Sequence, residues 1–200
     1  MALLVACHYF QGHAALFVSM SATLIALFKD KLTEYFFPAI LEIIVNDSTE
    51  CFQEISIPVV QDAPNIQEAW LGAIVRNTGT GTAKNVELFF DGVKSNVVQD
   101  IHSFKSLPLV RSWIRDQKIA SLPPGLGFRF DICFLRSNEP RMIRFALMKI
   151  PIALSGITCE ADKDSKIKFT LKAISENSRL VSKTFQIKFN GKYTDGFRIA

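Results

Sequence analysis

Few side chains in this chain could carry out a reaction. The histidines are His8, His13 and His102, and the cysteines are Cys7, Cys51, Cys133 and Cys159. A hydrolytic nucleophile needs a base positioned beside a serine or cysteine, and zinc needs ligands at short recurring spacings. Neither arrangement is present, and there is no phosphate-binding glycine loop, G-x-G-x-x-G, H-E-x-x-H or G-x-S-x-G motif. His102 is the single histidine beyond residue 28. No catalytic residue, metal site or cofactor is therefore expected. The acidic segment Glu160-Ala161-Asp162-Lys163-Asp164 reads as a solvated loop.

The remaining candidate chemistry is basic. Residues 1–105 hold 6 Lys/Arg against 11 Asp/Glu, a net of −5, whereas residues 106–200 hold 17 against 8, a net of +9. Arg111, Arg115, Arg129, Arg144, Lys168 and Lys172 form the candidate ligand-binding set, with Arg136, Arg141, Lys166 and Lys188 in the same half. Were they to converge, they could hold phosphate, because the guanidinium fork matches two oxygens and ammonium adds charge. An anionic lipid surface or a nucleotide would suit that charge. The aromatic residues interleaved with these charges fall on the opposite stripe, so single-stranded nucleic acid is not the expected partner.

These residues depend on an unusual leading segment. Residues 1–28 contain no Asp, Glu, Lys or Arg and run straight into Lys29-Asp30-Lys31. A membrane-spanning helix needs about 20 mainly apolar residues, which residues 10–28 supply, with the core of the span at 14–28. A cleaved signal peptide would carry positive charge ahead of its apolar run, and here no Lys or Arg precedes Lys29. Lysines beside a span stay on the cytoplasmic side, so Lys29 and Lys31 place the larger part of the chain in the cytoplasm. Gly12, Ala15, Ser19, Ala22 and Ala26 follow a 3-4-3-4 spacing, one stripe of a helix along which a second copy could approach closely. Residues 29–37 continue as a short juxtamembrane helix that Pro38 stops. This divides the chain into an anchor, 1–37, and a β domain, 38–200.

Beyond Pro38 the period is two. Residues 39–45 form an Ile/Val-rich first strand, and a short strand is expected around Ile55, Ile57 and Val59. Trp70, Gly72, Ile74 and Arg76 alternate with Leu71, Ala73 and Val75; Asn77-Thr78-Gly79-Thr80-Gly81 turns the chain; Val86, Leu88 and Phe90 resume the alternation, which predicts a hairpin. Val97-Val98 is a possible strand, and 107–118 holds a short helix or edge strand around Trp113. Phe128, Phe130, Ile132 and Phe134 mark another strand, 141–150 a further one, and the runs around Ile167–Ala173 and Val181–Phe189 a second hairpin. Several short strands with turns between them predict an antiparallel β-sandwich whose core the 17 phenylalanines fill. The cysteines beyond the anchor are odd in number and widely spaced, so no disulfide framework is expected.

The run Ile74-Val75-Arg76-Asn77-Thr78-Gly79 followed by Thr82-Ala83-Lys84-Asn85-Val86 resembles the "V-x-N-x-G-x-x-x-A-x-N-V" hairpin of immunoglobulin-like surface modules of the CARDB type. It is also similar to the soluble part of small bacterial proteins with one N-terminal span. The resemblance covers about twenty of 200 residues and implies an immunoglobulin-like sandwich, not an activity. Modules of that type usually stand outside the cell, whereas the flanking lysines assign this one to the cytoplasm. The whole fold expectation is mainly β: a transmembrane helix followed by an antiparallel immunoglobulin-like β-sandwich.

Three functions fit these features. The first is a non-enzymatic, single-pass inner-membrane protein whose cytoplasmic sandwich binds a partner protein or ligand, the anchor forming a homo-oligomer. The second is a membrane effector in which ligand sensing by the β domain drives assembly of the spans and disrupts the bilayer. The third is an adhesion module outside the cytoplasm.

Overall fold

The computed structural model describes residues 2–57, 65–95, 107–108, 110–111, 118–146, 158–193 and 196–199, with side chains described from Phe17 onward except at residues 57, 92–95, 107–108, 110–111 and 158–159. The chain falls into two units, Met1–Pro38 and Ala39–Ala200.

The first unit is a single helix, α1 (Ala2–Phe36). Its last turn is held by Phe37 N–H donating to Thr33 O at 2.8 Å, and Pro38, which has no N–H to give, ends it. Phe17, Val18, Met20, Leu24, Ile25, Leu27 and Phe28 are all exposed. Among the described residues no helix is long and apolar enough to cross a membrane. Lys29, Asp30, Lys31 and Glu34 occupy the C-terminal part of α1.

The second unit is built of strands: β1 (Leu41–Ile44), β2 (Phe52–Ile57), β3 (Ile66–Asn77), β4 (Ala83–Ser95), β5 (Leu107–Pro108), β6 (Val110–Arg111), β7 (Lys118–Leu122), β8 (Gly127–Arg136), β9 (Glu139–Phe145), β10 (Thr158–Glu160), β11 (Lys166–Ile174), β12 (Val181–Phe189) and β13 (Phe197–Ile199). One antiparallel sheet runs β1-β3-β8-β9-β10, with β2 also on β3 and β6 on β8; the other runs β13-β12-β11-β4-β5, with β7 on β4. Leu71, Ala73 and Val75 of β3, Phe130 and Ile132 of β8, Leu88 and Phe90 of β4, and Phe169 and Leu171 of β11 belong to one buried cluster. Two sheets with a common core are the arrangement of a β-sandwich.

Period-two alternation produces this directly. Along β11 the odd residues Ile167, Phe169, Leu171 and Ala173 are buried, while Lys166 and Lys168 point out. Phe169 anchors an aromatic row, its ring centroid 6.0 Å from that of Phe90 and 5.8 Å from that of Phe185. The β11–β12 pairing, with Phe169 opposite Phe185, is the predicted second hairpin.

The first predicted hairpin is not one. β3 and β4 lie in different sheets, so residues 78–82 form an arch across the core rather than a tight turn within a sheet. The physical reason is Asn77, which is fully buried and has every polar group engaged. Its side-chain Oδ1 accepts from Gly79 N at 3.0 Å and Ile40 N at 3.3 Å, and its Nδ2 donates to Gly81 O at 2.7 Å and Leu122 O at 2.9 Å. Its backbone N donates to Leu126 O at 3.0 Å and its carbonyl accepts from Gly125 N at 2.7 Å. Leu122 ends β7 and Gly127 opens β8, so the same asparagine ties together two crossings between the sheets.

The phenylalanines divide between core and surface. Phe90, Phe130, Phe145, Phe169, Phe185, Phe189 and Phe197 are buried, but Phe17, Phe28, Phe36 and Phe37 are exposed. The aromatic total therefore overstates what the sandwich contains. Val59, Val97-Val98 and Trp113 lie outside the described residues.

Candidate functional site

Among the described residues, Arg129 and Arg144 of one sheet do not converge with Lys168 and Lys172 of the other. Phe130 and Ile132 of β8 point into the core, which turns Arg129 to the outer face of its sheet; Phe169 and Leu171 of β11 turn Lys168 and Lys172 to the outer face of the other. These faces lie on opposite sides of the sandwich. Most of the cations also have carboxylate partners close by. Lys172 Nζ stands 2.6 Å from Asp91 Oδ2, Lys188 Nζ 2.8 Å from Asp164 Oδ1, and Lys118 Nζ 3.1 Å from Glu87 Oε1. Arg144 pairs with Glu139, and Arg141 with Asp162. The bond from Lys188 and its charge hold the Asp164 carboxyl below its ordinary value. This is the pattern of solvated faces laced by ion pairs, each of small individual weight. Arg111 sits in β6 opposite Phe130 with its side chain outside the described set, and Arg115 lies outside the described residues altogether.

Arg129 is the most enclosed cation of the set. Its side chain is 10% exposed, and its Nε lies 3.4 Å from Asp131 Oδ1. The guanidinium donates to Trp70 O at 3.2 Å and Glu50 O at 3.5 Å. Burial pulls it below its ordinary value, and the charge of Asp131 opposes the shift. It lies across Gly72, where an added Cβ would come 2.9 Å from Arg129 Cγ and 3.0 Å from Phe130 O. The absence of a side chain at Gly72 makes room for the arginine, which fastens β8 to β3 rather than facing a ligand.

Beside it, Glu68 is 3% exposed and accepts from Arg136 Nε at 2.8 Å and Trp70 Nε1 at 2.9 Å. The Trp70 ring stacks on Phe134 at 4.3 Å, with the Arg136 guanidinium 5.5 Å from the Phe134 ring centre. Each polar end of this aromatic step has a partner, as buried charge requires.

The concave feature is a groove of about 540 Å³ lined by Asp47, Thr49, Phe52, Gln53, Glu54, Ala69, Trp70, Gly196, Phe197 and Arg198. It lies between β2, at the margin of one sheet, and β13, the last strand of the other. Phe52, Ala69 and Phe197 supply apolar surface, and Asp47 and Glu54 outnumber Arg198 in charge. Asp47 Oδ1 accepts from Ile199 N at 2.9 Å, spanning the gap between the sheets. Tyr193 adds a buried hydroxyl with no hydrogen-bond partner among the described residues. Burial, and then the charges of Glu54 and Glu68, push that hydroxyl above its ordinary value.

Sequence reasoning did not reach this groove. Its walls come from strands about 140 residues apart, and neither Asp47 nor Glu54 belongs to a motif. The half-exposed Trp70 was the one available signal, a large aromatic left partly uncovered on β3.

Cys51 and Cys133 are buried, and Cys7 and Cys159 have side chains outside the described set. His102 also lies outside the described residues. Among the described residues no three His, Cys, Asp or Glu side chains come together as a metal site would need. Gly12 and Ala15 belong to α1 but lie before the first placed side chain, while Ser19, Ala22 and Ala26 are exposed along it. The chain matches no protein-family model, no characterised protein and no solved structure.

Proposed function

We propose that this chain is a non-enzymatic, membrane-anchored binding module, in which α1 fixes it to the cell membrane as a single pass and an immunoglobulin-like sandwich on the cytoplasmic side recognises a partner protein. The observation that carries this reading is the run of exposed large apolar side chains on α1, Phe17, Val18, Met20, Leu24, Ile25, Leu27 and Phe28. They continue an uncharged sequence that extends back to the start of the helix. A helix apolar over so much of its surface needs either a protein core or lipid around it. Lys29 and Lys31 then set the orientation. Ser19, Ala22 and Ala26 lie on the arc opposite the large side chains, so a second copy could pack against them. For recognition, the groove between β2 and β13 supplies the concave surface.

Alkaline extraction of membranes from cells making the full chain tests the anchor. Retention in the membrane pellet is expected, with release by Leu24→Asp combined with Leu27→Asp. Recovery of the unaltered chain in the soluble fraction would overturn the anchor. Crosslinking in the same membranes reports on the small-residue stripe, where Ala15→Leu with Ala22→Leu is expected to abolish the oligomer.

A further inference from the structure

The groove between β2 and β13 is bordered by two strand edges whose backbone groups point into the gap. Gly72 N donates to Cys51 O at 2.8 Å, which makes Phe52 and Leu71 a pair without mutual backbone bonds. Phe52 and Glu54 therefore turn their N–H and C=O groups away from β3. Phe52 N is already taken, donating to Ser48 O at 3.0 Å, but Glu54 N–H and C=O face the open side with no backbone partner among the described residues. Across the gap, Asn190 N donates to Gly196 O at 3.0 Å, so Phe197 likewise turns its backbone away from β12. The next residue in that alternation, Ile199, is capped by Asp47.

Exposed strand edges are templates for pairing. Side chains alternate along a strand. A chain laid beside β2 would thus send every second side chain into the 540 Å³ groove over Phe52, Ala69 and Phe197, and hold the others outward. Asp47 and Glu54 against one Arg198 make the lining net negative, and Glu50 is exposed just before β2.

We infer that the β2 edge takes an extended segment of a partner protein, paired to Glu54 through its backbone and alternating apolar residues that enter the groove with basic residues that meet Asp47 and Glu54. This rests on the binding-module reading and names the chemistry of its partner.

The test uses the full chain in lipid nanodiscs and two heptapeptide probes, one alternating lysine and valine and one alternating glutamate and valine. Fluorescence anisotropy reads affinity, and amide hydrogen exchange reads the place of binding. The lysine peptide is expected to bind, to weaken as salt rises, and to protect the Glu54 amide. Glu54→Lys is expected to reduce affinity at least tenfold. Glu54→Pro, which removes an N–H that β3 does not use, is expected to reduce it while hydrogen exchange in β3 and β8 shows the fold intact. Equal binding of the two peptides, protection at β10 instead of β2, or unchanged affinity in both variants would overturn the inference. So would protection of Glu54 that grows with protein concentration alone, which would make a second copy the occupant. Membrane retention is measured separately. A retained chain that ignores the lysine peptide sinks this inference and leaves the anchor standing, and a soluble chain that binds it does the reverse.

Discussion

Tyr193 and Asn77 show two opposite treatments of a buried polar group. The Tyr193 hydroxyl is buried without a partner among the described residues, and burial raises it above the ordinary tyrosine value. The folded state therefore holds the proton to higher pH than the unfolded chain does. The associated stability is complete below the unfolded value of about 10 and is lost as pH rises through the folded one. Thermal melts between neutral and strongly alkaline pH should show the wild type losing stability faster than Tyr193→Phe. At neutral pH the variant should equal the wild type or exceed it by about 1 kcal/mol, since an unmatched buried hydroxyl costs rather than contributes. Asn77 has all its groups matched, so Asn77→Ala should cost about 2–4 kcal/mol by chemical denaturation, because it strands several buried backbone groups at once. The sequence marked Asn77 as a turn residue, and Gly79 N does donate to its Oδ1. Its bond to Leu122, 45 residues away, had no local signal.

Among the elements, alternation was legible where each strand buries one face. The β11–β12 pair was readable for that reason, its buried residues recurring at every second position, whereas in β8 the alternation shifts after Ile132, so that Cys133 and Leu135 are buried and Phe134 is not. Alternation says which side chains share a face, but not which sheet a strand joins. The β3–β4 connection was accordingly misjudged as a hairpin, since an arch and a tight turn use the same glycine and asparagine chemistry. Gly72 is a second example. It reads as one member of an alternating strand, yet the structure gives it a specific task, making space for Arg129. Gly72→Ala should cost about 1–3 kcal/mol through overpacking. The penalty should shrink in an Arg129→Ala background, and a double-mutant cycle by urea denaturation measures the coupling. Additive penalties would show that Arg129 does not depend on the space at Gly72.

At the scale of the molecule, charge counting misled in an instructive way. The basic half holds a net of +9, yet its described lysines and arginines are distributed over two outward faces, and seven of them stand beside carboxylates. A net charge over a hundred residues carries no information on convergence, because strand alternation assigns neighbouring charges to whichever face the fold leaves outside. The groove, by contrast, is acidic and drawn mainly from the N-terminal half, where the count is −5. The chain divides into two units at Pro38, the residue that ends α1. Every buried core residue of the second unit lies at Ala39 or beyond. Removing residues 1–38 should therefore leave the β unit folded, with its melting temperature within about 2 °C of the value in the full chain, as calorimetry can verify.

The place where the chain enters the β unit has a mechanical consequence. Ile40 N donates to the Asn77 side chain, and Ile40 O accepts from Thr78 N at 2.8 Å, just ahead of β1. A tension applied through residue 39 is thus delivered first to the asparagine that joins both crossings, and from there to both sheets together. The load is shared across the sandwich instead of unzipping β1 from its edge.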